Sequence, residues 1–367
     1  MNLRVYYDFQ IFVSQKYGGI SRYFFELSSR LGSMGVDVRM GCLNSVNWYF
    51  REQLGMRSYS SNSTIRGIQV RTQGRIFGIL NRIKALHDMK ACDIVHPTYY
   101  NPYLLGRTKC KIVLTVYDMI HELYRDTYFS GDKKTIPHKS RMIQSADRII
   151  AISGSTKRDI LRFFPETDPA KISVVHLGAS MPAVDESLPS PAEVDYVLFV
   201  GSRGGYKNFL RFVEAMRPVL EARKDICVLC IGGGGFTASE LEAIGSLRSR
   251  YCQASADDET LARAYAHALC FVFPSEYEGF GIPLLESFAC NCPLVCAKSS
   301  SFPEVAGGAA EYFDPLSVDE MSAAILRVVD DESLRAKMRK AGRERLGLFS
   351  WDKTARETLA VYEACLS

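Results

Sequence analysis

Short apolar runs alternate with longer stretches of helical hydrophobic spacing along the chain. That alternation marks parallel sheets built from strand–helix–strand units. The first half predicts strands at Arg4–Asp8, Val36–Cys42, Ile94–Pro97, Lys111–Val116, Arg148–Ile152 and Ile172–His176. Helices are predicted over Ile20–Gly32, Ile76–Met89, Lys133–Ser145 and Thr156–Phe163. The polar stretch Asn44–Gln73 is long for a connection, which predicts a functional or mobile segment. Residues His176–Val194 carry Pro182, Pro189 and Pro191 among small and acidic residues and read as a linker. The alternation then restarts, with strands expected at Tyr196–Val200, Ile226–Ile231, Leu269–Phe273 and Pro293–Cys296 and an edge strand at Glu311–Phe313. A helix over Ser350–Ala364, opened by Ser-Trp-Asp, closes the pattern. Two similar α/β halves follow.

At 367 residues the chain is long enough for two domains. Its 47% hydrophobic and 23% charged residues describe a soluble globular protein. No apolar run reaches the roughly 18 residues of a membrane-spanning helix. The segment Met1–Asp8 leads directly into a strand and lacks the regions of a signal peptide, so a cytoplasmic location is expected. Cys92, Cys227, Cys230, Cys270 and Cys296 sit in apolar runs as small hydrophobes. Cys227 and Cys230 have zinc-knuckle spacing, yet three residues apart on a strand they point to opposite faces. No second Cys or His pair completes a metal site, so neither structural zinc nor disulfides are expected.

Charge separates the halves. Residues 1–180 hold 26 Lys+Arg against 14 Asp+Glu, and residues 181–367 hold 19 against 27, so +12 and −8 compose the net +4. A basic half points to an anionic partner. Its cations are scattered and no nucleic-acid-binding motif is present, so nucleic acid is not expected. An anionic membrane surface fits better, and an ordinary solvated basic surface is the alternative. Trp48-Tyr-Phe-Arg51 is consistent both with contact at a lipid–water boundary and with a core patch beneath the long loop.

The segment Phe273-Pro-Ser-Glu-Tyr-Glu-Gly-Phe-Gly-Ile-Pro-Leu-Leu-Glu286 concentrates the candidate chemistry. Gly279 and Gly281 let the backbone approach a ligand or take positive φ, and Pro283 suits the first turn of a helix. Glu278 then stands in the loop and Glu286 near the helix start. Hydroxyl acceptors beside a helix N-terminus suit a sugar nucleotide, while two solvated glutamates on a plain turn remain the alternative. In Val200-Gly-Ser-Arg-Gly-Gly-Tyr-Lys-Asn208, Arg203 and Lys207 supply two cations on a flexible turn. The segment is neither a dinucleotide fingerprint nor a P-loop. Gly18-Gly19 opens the first helix of the basic half, and Gly232–Gly235 ends a strand.

These segments, with Tyr17–Leu27, Asp147–Ser153 and Ser301–Gly307, resemble family 4 of the retaining glycosyltransferases, in register from about residue 5 to about residue 350. The resemblance implies a GT-B fold, two Rossmann-like α/β domains whose parallel sheets face a central cleft. The expected division is residues 1–178 for acceptor binding, 179–194 as linker and 195–349 for the nucleotide sugar. Residues 350–367 would form a helix crossing back to the first domain, with Trp351 near the interface. It further implies that Arg203 and Lys207 hold the donor diphosphate, Glu278 the sugar hydroxyls and Glu286 the ribose diol. Gly18, Gly19, Gly279, Phe280 and Gly281 would bring backbone against the donor.

Many relatives place a His after the fourth strand, where this chain has Tyr117. Asp118 and His121 are the candidates to replace it, a strand-capping Asp and an unrelated His being the alternative. The implied mechanism needs no enzyme nucleophile, because same-face attack passes the acceptor's proton to the departing phosphate. No cofactor metal is expected, in keeping with the lack of an Asp-x-Asp motif. The motif variants look most like bacterial mannosyltransferases of lipopolysaccharide O-antigen and surface-glycan synthesis. GDP-mannose is thus the expected donor, with UDP- or dTDP-sugars as the alternative. A lipid-linked or growing glycan is the expected acceptor, met at the cytoplasmic face of the inner membrane. A non-catalytic partner subunit is the rival reading, against which Arg203, Lys207, Glu278 and Glu286 are all retained.

Overall fold

The computed structural model describes residues 3–42, 45, 47–53, 68–183 and 189–367. The chain divides into two compact units, Met1–Leu177 with Trp351–Ser367 and Gly178–Ser350. The first holds β1 (Arg4–Tyr7), β2 (Asp37–Met40), β3 (Ile94–His96), β4 (Lys111–Val116), β5 (Arg148–Ala151) and β6 (Ile172–Val174). The second holds β7 (Tyr196–Val200), β8 (Cys227–Ile231), β9 (Tyr251–Ala254), β10 (Cys270–Phe273), β11 (Leu294–Ala297) and β12 (Ala310–Phe313). Each set forms one parallel six-stranded sheet, in the orders β2-β1-β3-β4-β5-β6 and β12-β11-β10-β7-β8-β9. All five residues of β8 and all four of β10 and β11 are buried, as expected of strands covered on both faces.

Strand order decides where a site can form. The second sheet grows from β7 through β8 to β9, then returns to place β10 on the other side of β7. Loops leaving β7 and β10 diverge there, and such a switch point opens a crevice at the strand carboxyl ends. The first sheet reverses in the same way between β1 and β3.

The predicted strands are present, shortened by a residue or two at most ends. β9 was not predicted as a strand: it is an edge strand whose Tyr-Cys-Gln-Ala is mostly unburied, so no apolar run announces it. The stretch read as a long loop contains the helix Trp48–Gln53 and the start of the helix Ile68–Asp88, and its residues 54–67 lie outside the described residues. Polar residues dominate there, and hydrophobic periodicity is too weak to show helices.

The helix Trp351–Leu366 packs within the first unit, against the helix Gly19–Ser33 and the strands β4 and β5. Its Tyr362 hydroxyl lies 2.6 Å from His96 Nδ1 and 3.0 Å from the Tyr7 hydroxyl. His96 Nε2 lies 2.8 Å from Thr115 Oγ1, which is 3.1 Å from the Tyr23 hydroxyl. Trp351 packs on Tyr23, with ring centroids 6.4 Å apart, and Asp352 accepts from Arg30 Nε at 2.6 Å. Complete burial pushes the His96 pKa down to about 3. The imidazole is therefore neutral, and its two nitrogens can serve one as donor and one as acceptor.

Candidate active site

The loops leaving β7 and β10 are stitched together at the switch point. Asn208 follows the glycine-rich turn in a left-handed conformation, φ 61°. Its side-chain amide donates to Pro274 O at 3.1 Å and Pro315 O at 2.7 Å, joining three loops. Glu276 N donates to Tyr206 O at 2.8 Å. This brings Lys207 Nζ onto Glu278 Oε1 as a direct ion pair, with the two side chains 20% and 14% exposed. The Phe273 ring lies 5.8 Å from the ammonium. A half-buried pair of this kind is screened less than a surface pair and holds both heads in register.

Glu278 belongs to a loop whose shape is set from β11. Glu278 N donates to Ser300 Oγ at 3.0 Å. The buried Ser301 hydroxyl lies 3.0 Å from both Glu278 O and Phe280 O. Gly281, at φ 89°, turns the chain into the helix Ile282–Ala289, with Pro283 in its first turn. A Cβ on Gly281 would stand 2.7 Å from Leu284 Cδ1 and 3.0 Å from Phe302, so only glycine fits. Glu286 lies on that helix, one turn beyond Pro283, with the Tyr265 hydroxyl 3.5 Å from its Oε2. The loop and helix positions of the two glutamates follow the expected arrangement.

Arg203, expected to hold the donor diphosphate, makes its contacts inside the second unit. Its side chain is 2% exposed and is spent inside the unit. Nε donates to Glu240 Oε1 at 3.0 Å, while the terminal nitrogens donate to the carbonyls of the Gly232–Gly235 turn. The Phe236 and Phe209 rings lie beside it, with centres 4.8 and 5.5 Å from the guanidinium carbon. The four-residue spacing to Lys207 places both on one turn but does not decide which one faces outward.

In the first unit, Gly18 caps the helix Gly19–Ser33, and its carbonyl accepts from the Ser21 hydroxyl at 2.9 Å. Asp118 and His121 follow β4. Asp118 Oδ1 accepts from Ile120 N at 3.1 Å, at the start of the helix Ile120–Leu123. His121 turns to Asp132, its Nδ1 2.9 Å from Oδ2, and packs on Phe129 with centroids 4.2 Å apart. Tyr117 is buried, and burial raises its phenol far above the ordinary tyrosine pKa.

Lys139, absent from the sequence reading, is fully buried beneath this loop. Its ammonium donates to Asp118 O at 3.0 Å and Glu122 Oε2 at 2.8 Å, above the Tyr100 ring at 5.1 Å. The 17-residue separation from Glu122 gives no local signal of the pair. Asn208, Ser300 and Ser301 were also missed as individual contributors. An Asn closing a glycine-rich turn is a recognisable left-handed candidate, but the serines act through contacts visible only in three dimensions. The Trp48 cluster divides: Phe50 is buried against Phe12, centroids 5.1 Å apart, whereas Trp48 is 41% exposed and stacks on Tyr17.

Among the described residues, no group of three or more His, Cys, Asp or Glu side chains could hold a metal ion. No helix among them is long and apolar enough to cross a membrane. No disulfide joins any of the eleven cysteines, all of them among the described residues.

Residues 17–181 match the family model described as Glycosyltransferase Family 4, and residues 181–345 the model Glycosyl transferases group 1. The O-antigen chain mannosyltransferase B of Escherichia coli is 30% identical over 302 residues, covering 76% of each chain. A D-inositol 3-phosphate glycosyltransferase of Nocardioides sp. is 25% identical over 94% of this chain and 85% of its own. A glycosyltransferase structure from Rickettsia africae aligns with a TM-score of 0.72 at 18% identity, over 100% of this chain and 99% of that one.

Proposed function

Because the chain belongs to glycosyltransferase family 4 and has its GT-B fold, we propose that it is a retaining hexosyltransferase moving mannose from GDP-mannose to a lipid-linked or growing glycan acceptor. The observation that carries this reading is the Lys207–Glu278 pair at the β7/β10 switch point, with Glu286 on the helix that follows. A cation, a carboxylate beside it and a second carboxylate one loop away suit the three parts of a nucleotide sugar. Lys207 meets the diphosphate, Glu278 the sugar hydroxyls and Glu286 the ribose diol.

As the bond between the anomeric carbon and the phosphate oxygen breaks, negative charge grows on the leaving diphosphate. A fixed ammonium is worth most there, because it stabilises charge that the ground state has not yet developed. The acceptor hydroxyl attacks from the same face, its oxygen bonds to the anomeric carbon, and its proton passes to the departing phosphate oxygen. Within the first unit, the Gly18–Gly19 backbone is the candidate for phosphate contact and Asp118 for contact with the acceptor. His121, held to Asp132, is a weaker candidate.

Mannose as the sugar is supported by the named activity of the Escherichia coli relative and by the variants of the glycine-rich motifs. The +12 charge of residues 1–180 supports an acceptor carried on an anionic cytoplasmic membrane face. Titration calorimetry with GDP-mannose, UDP-glucose, UDP-N-acetylglucosamine and dTDP-rhamnose tests the donor, with Glu286→Ala as control. Binding of GDP-mannose alone, weakened about tenfold in the variant, is the expected result. Binding of a different nucleotide sugar alone would overturn mannose, and binding of none would overturn the enzyme reading.

A further inference from the structure

We infer that Lys139 is a positioning residue for the transfer step, its buried ammonium fixing where the loop after β4 presents Asp118 to the acceptor. The inference rests on the acceptor-side reading of Asp118 above and deepens it.

Lys139 lies in the helix Thr135–Ser145, and its side chain is fully buried. An ammonium has three N–H donors and no acceptor. One donor goes to Asp118 O at 3.0 Å and another to Glu122 Oε2 at 2.8 Å, in the short helix that follows the loop. The Tyr100 ring centres 5.1 Å from the same nitrogen, within reach of a cation–π contact. The Tyr100 hydroxyl in turn accepts from Tyr117 N at 3.1 Å. The backbone is therefore held at Tyr117 N and at Asp118 O, one on each side of the Asp118 Cα. The carboxylate is set as well, because its Oδ1 accepts from Ile120 N and lies 3.9 Å from Lys139 Nζ. It is also the accessible part of the arrangement: the Asp118 side chain is 30% exposed, that of Glu122 only 3%.

Stability alone does not account for this ion pair. Apolar side chains of similar volume fill such a space as well or better, since two buried charges must first be stripped of water. Glu122 Oε1 is buried with no hydrogen-bond partner among the described residues, a penalty that an apolar pair would not carry. What the ammonium supplies and a methyl group cannot is direction. His138, next to Lys139 on the helix, lines a cavity of about 330 Å³ together with Gln10, Tyr100 and Asn101. Gln10 follows β1, and Tyr100 and Asn101 follow β3, so the cavity stands where the first sheet reverses. Lys139 thus joins this helix, the β3 loop and the β4 loop at one atom. A shift of about 1 Å in a group that meets the substrate can cost roughly 10² in rate.

The test compares wild type with Lys139→Met, with the paired variant Lys139→Met and Glu122→Leu, and with Asp118→Asn. Release of GDP from GDP-mannose is followed with octyl α-mannoside as acceptor probe and with water alone, and urea titration reports folding. Lys139→Met alone is expected to be unstable, so the paired variant, which removes both charges, carries the test. It should regain most of the stability while its kcat stays roughly ten- to a hundredfold below wild type at unchanged donor KM. Asp118→Asn, which retains the Oδ1 acceptor for Ile120 N, should lower kcat similarly, and adding it to the paired variant should cost little more. A purely structural role would return kcat along with stability, and that result overturns the inference, as do losses that add. Asp118→Asn with wild-type kcat removes the reading of Asp118 and this inference with it. A paired variant as active as wild type beside an impaired Asp118→Asn removes this inference alone. Should the paired variant fail to fold, Lys139→Arg decides, because a planar guanidinium cannot take the place of the ammonium between both oxygens. Its kcat must then fall, and wild-type kcat overturns the proposal. A wild type that releases GDP under neither condition removes the enzyme reading together with this one.

Discussion

Acidification should loosen the first unit through one residue, His96. An unfolded imidazole titrates near 6.5, whereas burial in the Tyr7–Tyr362–Thr115 network holds the folded one to about 3. The folded pKa is depressed, so the full stability is present above pH 6.5 and is lost as pH falls from there toward 3. At pH 5 the unfolded imidazole is protonated about 30 to 1 while the folded one stays neutral, which costs the native state about 2 kcal/mol. At pH 7.5 that cost is nearly absent.

Both tryptophans, Trp48 and Trp351, belong to the first unit, so intrinsic tryptophan fluorescence reports its unfolding selectively. Urea titrations of wild type and His96→Gln at pH 7.5 and pH 5 separate this residue from every other titrating group. Asp8, buried with a raised pKa, acts in the opposite sense but equally in both proteins. The variant should start lower, having lost buried hydrogen bonds, yet fall by about 2 kcal/mol less between the two pH values. Parallel pH dependence of the two proteins would refute the reasoning.

Replacing Lys207 with Met should lower kcat by roughly 10²–10³ with a smaller change in donor KM, measured as release of nucleoside diphosphate. Glu286→Ala should instead weaken donor binding by about tenfold, read by calorimetry. Ser301→Ala removes the hydroxyl shared by Glu278 O and Phe280 O and should lower stability by about 1–2 kcal/mol in a urea titration. Lys139→Met strands the carboxylate of Glu122 in the core and should cost about 3–5 kcal/mol, whereas Lys139→Met with Glu122→Leu should recover most of it. A double variant as unstable as the single would show that the pair is not the cause.

The central strands were legible because burial on both faces writes uninterrupted apolar runs, as in Tyr196–Val200 and Cys270–Phe273. β9 was not, because an edge strand needs no such run. The loop carrying Glu278 and the helix carrying Glu286 were readable from Gly281 and Pro283, residues whose backbone geometry forces a turn and then a helix start. The partners of Arg203 were not legible, because its direction is set by Glu240 and by the carbonyls of a turn some thirty residues away. The Lys139–Glu122 pair was invisible for the same reason. Local pattern gives the position of a charged residue, and only tertiary packing gives the direction of its head group.

The first unit is discontinuous in sequence, and this has a consequence for its biogenesis. At about 5–20 residues per second, a ribosome takes about 10–35 s to pass from Leu177 through the intervening second unit to Trp351. During that interval His96, Tyr7 and Tyr23 have been made but lack the helix whose Tyr362 completes their hydrogen bonds. The nascent first sheet then lacks the aromatic contacts that this helix supplies to Tyr23 and His96. A fragment of residues 1–177 should accordingly be poorly soluble when expressed alone and be rescued by a synthetic peptide spanning 351–367. Stability of the first unit is thus postponed until the second has been synthesised, which orders the assembly of the two in time.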